Sequence, residues 1–114
     1  VRFEATYHLY WSAQAHRTPA MTAPLLERLG DPDLRVRLWA CGALGANGDP
    51  AAVAALLRAL EDPEVFVRYR AAEALGKLRA AEAVEPLLKM TREDGWYCGM
   101  YSLDALRRIR PGKY

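Results

Sequence analysis

The side chains able to do chemistry are few and scattered. The two histidines, His8 and His16, stand eight residues apart, and neither precedes a glutamate. That spacing misses the i, i+4 helical face on which a histidine pair with an adjoining glutamate binds and uses a metal. They read as solvated or capping side chains. Cys41 and Cys98 lack any metal-ligand spacing. Gly42, Gly45 and Gly48 are spaced by three, but no Lys-Ser or Lys-Thr follows them into a helix, as a phosphate-cradling loop requires. They fit close packing and a turn. An enzyme needs a nucleophile, base or metal set within reach, and none is assembled here. The expectation is a non-catalytic segment with no metal site and no cofactor.

Arg37 and Arg68 are more suggestive, because each follows an aspartate, Asp31 or Asp62, by six residues. One reading is an anion-binding row. The other is a lateral Asp–Arg ladder tying the connecting turns of adjacent structural units together, and the joint recurrence of Asp and Arg favours it.

That recurrence leads to the elements. The segment Asp31-Pro32-Asp33-Leu34-Arg35-Val36-Arg37-Leu38-Trp39-Ala40-Cys41-Gly42-Ala43-Leu44-Gly45 aligns with Asp62 through Gly76 at an offset of 31, with eight of fifteen positions identical. A degenerate third copy runs from Glu93 through Cys98, Ser102, Ala105 and Leu106. The preceding segments align at the same offset, as Pro24-Leu25-Leu26, Ala55-Leu56-Leu57 and Pro86-Leu87-Leu88. Fixed periods of this size mark stacked supersecondary units.

Each unit reads as two helices. The first carries Val53, Leu56, Leu57 and Leu60, or Val84, Leu87 and Leu88, at helical spacing. The second buries Val36, Ala40, Ala43 and Leu44, then Val67, Ala71, Ala74 and Leu75, in one i, i+4, i+7, i+8 stripe. Asp49-Pro50 and Asp62-Pro63 are expected to supply an N-cap followed by proline at the first helical position. Gly45 and Gly76 are expected near helix ends, where glycine tolerates a left-handed cap. The fold that follows is all-α, a right-handed α-solenoid of stacked helical hairpins in which each unit contacts its neighbours. Cys41 and Cys98 then lie two repeats apart, roughly 20 Å at the usual helix spacing. They are expected to be free thiols, with Cys98 in the core position of Val36 and Val67.

Residues 1–114 form a single domain in this reading. Repeats span 20–48 and 49–79, and 80–114 holds the third repeat and C-terminal tail. Residues 1–19 hold a partial N-terminal repeat and connection, because Val1 through Leu9 matches Val36 through Leu44 at Val, Arg, Ala and Leu. The expectation is a piece of a longer solenoid, begun inside a repeat.

Charge narrows the partner. Lys and Arg total 16 against 14 Asp and Glu, a formal net charge of +2, which argues against a nucleic-acid partner. The alternative, a nucleic-acid-backbone binder, would use the basic C-terminus, Arg107, Arg108, Arg110 and Lys113, with Trp or Tyr stacking on bases; the preferred reading is that the tail arginines complement the final helix dipole. No apolar run is long enough to span a bilayer, and no membrane partner is expected. The first residues show no signal peptide.

The motifs Asp62-Pro63, Val67-Arg68, Ala71-Ala72-Glu73-Ala74-Leu75-Gly76 and Ala83-Val84-Glu85-Pro86-Leu87-Leu88 resemble the short HEAT-like repeats of phycobilisome lyase subunits and of artificial proteins built on that consensus. A narrower resemblance joins Arg37-Leu38-Trp39-Ala40 and Gly95-Trp96-Tyr97 with Ser102-Leu103-Asp104-Ala105-Leu106 to the C-terminal helical repeats of some bacterial sulfatases. The sulfatase nucleophile motif, Cys or Ser followed by x-Pro-x-Arg, is absent, so this likeness implies an accessory segment. The cytoplasm is the favoured compartment, or the periplasm for part of a sulfatase.

Removing the buried stripe from the second helices leaves three columns: Arg35, Phe66 and Tyr97; Leu38, Tyr69 and Met100; Trp39, Arg70 and Tyr101. Trp96 sits beside them, and Glu73 and Asp104 share a further column. In the artificial relatives the corresponding positions form the variable concave face, so the resemblance implies partner binding through Arg35, Trp39, Phe66, Tyr69, Arg70, Trp96, Tyr97 and Tyr101. Tyr, Trp and Arg are the types enriched at interface hot spots. The expected partner is a protein or the remainder of a longer chain. The alternative is self-covering, with Trp39 packing on the next repeat and Trp96-Tyr97 capping the last.

Overall fold

The computed structural model describes residues 8, 10–12, 19–93 and 96–114, the side chains of 96–99 excepted. All regular structure among the described residues is helical. We number the helices α1 (Thr22–Arg28), α2 (Leu34–Asn47), α3 (Val53–Ala59), α4 (Val65–Lys77), α5 (Val84–Glu93) and α6 (Trp96–Ile109). They form three hairpins, α1–α2, α3–α4 and α5–α6, and the first helix of each enters through a 3₁₀ turn. The second helices α2, α4 and α6 pack side by side in one layer, and the first helices cover the layer's other side. This is a helical repeat solenoid.

The expected stripe is the core. Val36, Ala40, Ala43, Leu44, Val67, Ala71, Ala74 and Leu75 are all buried, as are Leu25, Val53, Leu56, Leu60, Val84 and Leu87 from the first helices. Leu57 and Leu88 are half-buried, and Leu57 borders the furrow between neighbouring first helices. The third hairpin carries Ser102 where the others have Ala40 and Ala71, and its fully buried hydroxyl lies 2.7 Å from the Thr91 hydroxyl. Such pairing avoids the cost of an unsatisfied buried polar group.

The glycines depart from expectation. Gly45 and Gly76 lie within α2 and α4, and neither has a positive φ. The left-handed cap of α2 is Gly48, at φ 78°. What Gly45 and Gly76 provide is proximity: a Cβ on Gly45 would stand 2.8 Å from the Ala74 Cα, and one on Gly76 would stand 2.8 Å from the Ala105 Cα. The pattern repeats because the same two positions meet at each junction of second helices.

Thirty-one residues after Gly48 the left-handed position is held by Arg79, at φ 52°. The Arg79 N–H donates to the Gly76 carbonyl at 3.0 Å and the Ala80 N–H to the Leu75 carbonyl at 3.1 Å, the paired bonds of a Schellman cap. A side chain in this conformation costs about 1–2 kcal/mol, part of which glycine's freedom in the unfolded chain offsets. Arg79→Gly should therefore stabilise the protein by about 0.5–1 kcal/mol in urea denaturation, and a lowered midpoint would contradict this account.

The two proline turns differ from each other. Asp49 behaves as expected: its carboxylate accepts from the Ala51 N–H at 3.0 Å with Pro50 at the first position. Thr22 donates to the same carboxylate at 2.6 Å, and this bond, with that from Ala51, holds the Asp49 pKa below its ordinary value. Asp62 is not the N-cap of α4. The helix starts at Val65 with Glu64 in the cap position, while Asp62 Oδ1 accepts from the Glu64 N–H at 2.9 Å. Asp31 does the same with Asp33 at 2.8 Å, and Asp33 is the true cap of α2, accepting from Arg35. These are Asx turns, in which a short carboxylate satisfies the backbone two residues on.

The Asx turns serve the expected ladder. Arg37 donates to both Asp62 oxygens, Nε at 2.9 Å and Nη2 at 3.3 Å, and its Nη1 reaches the Asp31 and Pro32 carbonyls at 2.8 and 3.0 Å. Arg68 repeats the carbonyl contacts on Asp62 and Pro63, at 2.8 and 3.3 Å. One arginine thus clamps its own turn and, through the carboxylate, the turn of the next hairpin.

Candidate functional site

The columns lie on the second helices because the i, i+4, i+7, i+8 stripe commits the opposite side to the core. Arg35, at the start of α2, is exposed, and it pairs with Asp33 at 3.0 Å. The hydrogen bond and charge of that carboxylate hold the guanidinium pKa above its ordinary value. Phe66 is 51% exposed and meets Tyr69 edge-on, with ring centroids 5.7 Å apart. Tyr69 in turn stacks on Tyr101 at 4.4 Å and 19°. Arg70 lies over Trp39 at 5.9 Å and over Tyr69 at 6.0 Å, within the range at which a guanidinium is drawn to an aromatic face.

Five of the eight predicted residues, Trp39, Phe66, Tyr69, Arg70 and Tyr101, therefore form one continuous run across three helices. Arg35 stands apart, with Asp33. The side chains of Trp96 and Tyr97 lie outside the described residues. Trp39 and Tyr69 lie against Arg70, whereas Phe66 remains open. Met100, in the Tyr69 column but outside the predicted set, is 56% exposed.

One participant escaped the repeat alignment. Tyr10 meets Trp39 edge-on at 5.0 Å, and its ring fills the space above Gly42, where a Cβ would approach within 2.9 Å. The available signal was Gly42 itself, a missing side chain in the column that holds Glu73 and Asp104 in the later repeats. Charges behind the aromatic run are paired: Glu73 accepts from Arg70 at 3.2 Å and lies 3.7 Å from Lys77, and Asp104 holds Arg108 at 3.1 Å.

No group of three His, Cys, Asp or Glu residues able to hold a metal occurs among the described residues. His8 is exposed, and His16 lies outside the described residues. Cys41 is a buried free thiol whose pKa burial, with help from Asp62, pushes up to about 12, so it behaves as a small core hydrophobe. The Cys98 side chain lies outside the described residues. Open furrows of about 630 Å³ between α3 and α5 and about 340 Å³ between α1 and α3 repeat the same junction of first helices. Among the described residues no helix is long and apolar enough to cross a membrane.

Comparison with known proteins bears on this geometry. The family model described as HEAT repeats matches residues 22–107, which contain all six helices save the last two residues of α6. No curated protein matches the chain. HEAT repeats are typically non-catalytic and mediate protein interaction or scaffolding. By its helices, its period and this match, the chain belongs to the HEAT repeat family.

Proposed function

We propose that this chain is a protein-binding module whose second-helix face receives the partner. The observation that carries the reading is the aromatic run Trp39–Arg70–Tyr69–Tyr101, continued by the exposed Phe66. An apolar side chain left in water on a packed scaffold gains by burial against a partner, at about 25 cal/mol per Å². Self-association of Tyr69 with Tyr101 and of Arg70 with Trp39 holds the rings in place beforehand, which lowers the entropy lost on binding.

The charges favour a protein over a nucleic acid. Arg35 and Arg108 each face a carboxylate of their own, so a phosphate backbone would meet neutralised side chains there. The likenesses to phycobilisome lyase repeats and to a sulfatase accessory segment rest on sequence motifs alone. On the second, the bound protein is the rest of a longer chain.

The test pairs Phe66→Ser with Met100→Ser, both at exposed positions where folding stability should change little. Proteins held by the immobilised wild type and lost by the double variant are identified by mass spectrometry. One is then purified and titrated by calorimetry. The expected loss of affinity is about tenfold or more, or 1.4 kcal/mol. Equal affinity for both forms would sink the reading.

A further inference from the structure

Resting on that reading, we propose that the partner segment carries an aspartate or glutamate beside a large apolar residue. Its carboxylate binds Arg70, and its apolar side chain seats on Phe66 and Tyr69.

The inference starts from a guanidinium with too few acceptors. Arg70 spends Nη1 on Glu73 at 3.2 Å. Its Nε is buried with no hydrogen-bond partner. Nη2 has no hydrogen bond among the described residues, and the side chain as a whole is 26% exposed. An arginine has five N–H donors in a planar fork suited to a carboxylate, and here most of the fork is unused. The rings of Trp39 and Tyr69 hold the plane in place, so a ligand need not order it.

Charge makes the ligand anionic. Glu73 is shared by two cations, Arg70 at 3.2 Å and Lys77 at 3.7 Å, which leaves one positive charge uncompensated in this group of three. A single carboxylate balances it; a polyanion would overload it. The flanking surface makes the rest of the ligand apolar. Phe66 is 51% exposed one helical turn before Arg70, and Met100 is 56% exposed in the Tyr69 column of the next helix. The complementary segment therefore alternates one acid with large apolar side chains.

Phage-displayed random linear peptides selected on the folded chain provide the probe. Enriched peptides should carry Asp or Glu next to an aromatic or long aliphatic residue. Arg70→Gln should weaken such a peptide by about tenfold or more, the size of a charge-assisted hydrogen bond. Changing the acid of the peptide to its amide should give the same loss, and combining the two changes should add little. Because the peptide-side change is made against wild-type protein, the inference stays testable even if Arg70→Gln perturbs the fold. Peptides that need Phe66 and Met100 but are indifferent to Arg70 and to their own acid would overturn the carboxylate contact and leave the binding face standing. Peptides indifferent to all three residues would overturn both.

Discussion

Gly76→Ala is expected to destabilise the protein by about 2 kcal/mol, although Gly→Ala inside an exposed helix normally stabilises by up to about 1 kcal/mol. The new methyl would stand 2.8 Å from the Ala105 Cα and 2.9 Å from its Cβ. Neither atom can swing away, because the first belongs to the α6 backbone. The two second helices must separate, and the contacts along their whole junction loosen. Overpacking of this kind costs about 1–3 kcal/mol, more than the propensity gain. Gly45→Ala should behave alike, since it meets Ala74 in the same way at 2.8 Å.

Gly42→Ala supplies the internal control. It lies in the same helix as Gly45, but its methyl would meet the Tyr10 ring at 2.9 Å, the far end of a side chain that can rotate. Its expected change is within about 0.5 kcal/mol of zero, with the propensity gain set against a displaced ring. Urea denaturation of the three variants tests the ordering. If Gly45→Ala and Gly76→Ala match Gly42→Ala, the close approach of the second helices is not what glycine is there for.

Asp62→Ala is expected to cost more, about 3 kcal/mol. Arg37 and Asp62 retain only 15% and 10% of their side-chain exposure. Removing the carboxylate leaves a largely desolvated guanidinium with only the Asp31 and Pro32 carbonyls as acceptors. Breaking a buried pair from one side costs about 3–5 kcal/mol. Partial solvent access reduces that figure, and loss of the Asx turn to Glu64 restores about 1 kcal/mol of it. Arg37→Met should cost less, since a neutral chain leaves no unpaired charge, and the double variant should fall well short of the sum. A coupling above about 1 kcal/mol identifies the pair as an energetic link between hairpins. Single-variant losses below about 0.5 kcal/mol would reduce it to a surface ion pair. The distinction matters for function, because this link sets how the first two second helices lie side by side, and hence how Trp39 and Arg70 meet.

The sequence alone determined what depends on spacing within the chain. The 31-residue period, the two helices per unit and the buried stripe from Val36 to Leu44 and Val67 to Leu75 all follow from helical geometry acting on apolar positions. The pairing of Asp with Arg was legible for the same reason: both recur. Residue types on the outer columns were legible too, since whatever the core does not claim must face outward.

Contacts between repeats were not legible, because they depend on the lateral shift and crossing angle of neighbouring helices, which no spacing within one helix encodes. Aligned columns put Tyr101 with Arg70, yet its ring stacks on Tyr69, one position over. The exception is the Asp–Arg ladder: the Asp62 carboxylate pairs with Arg37 of the preceding hairpin, as the joint recurrence of the two residues implied. Gly45 and Gly76 looked like helix stops, and only the packed neighbours Ala74 and Ala105 reveal them as points of closest approach. Tyr10 over Gly42 has no counterpart in the period at all. The arrangement that makes a candidate site of these residues, an arginine between rings with acceptors still to find, belongs to the tertiary structure.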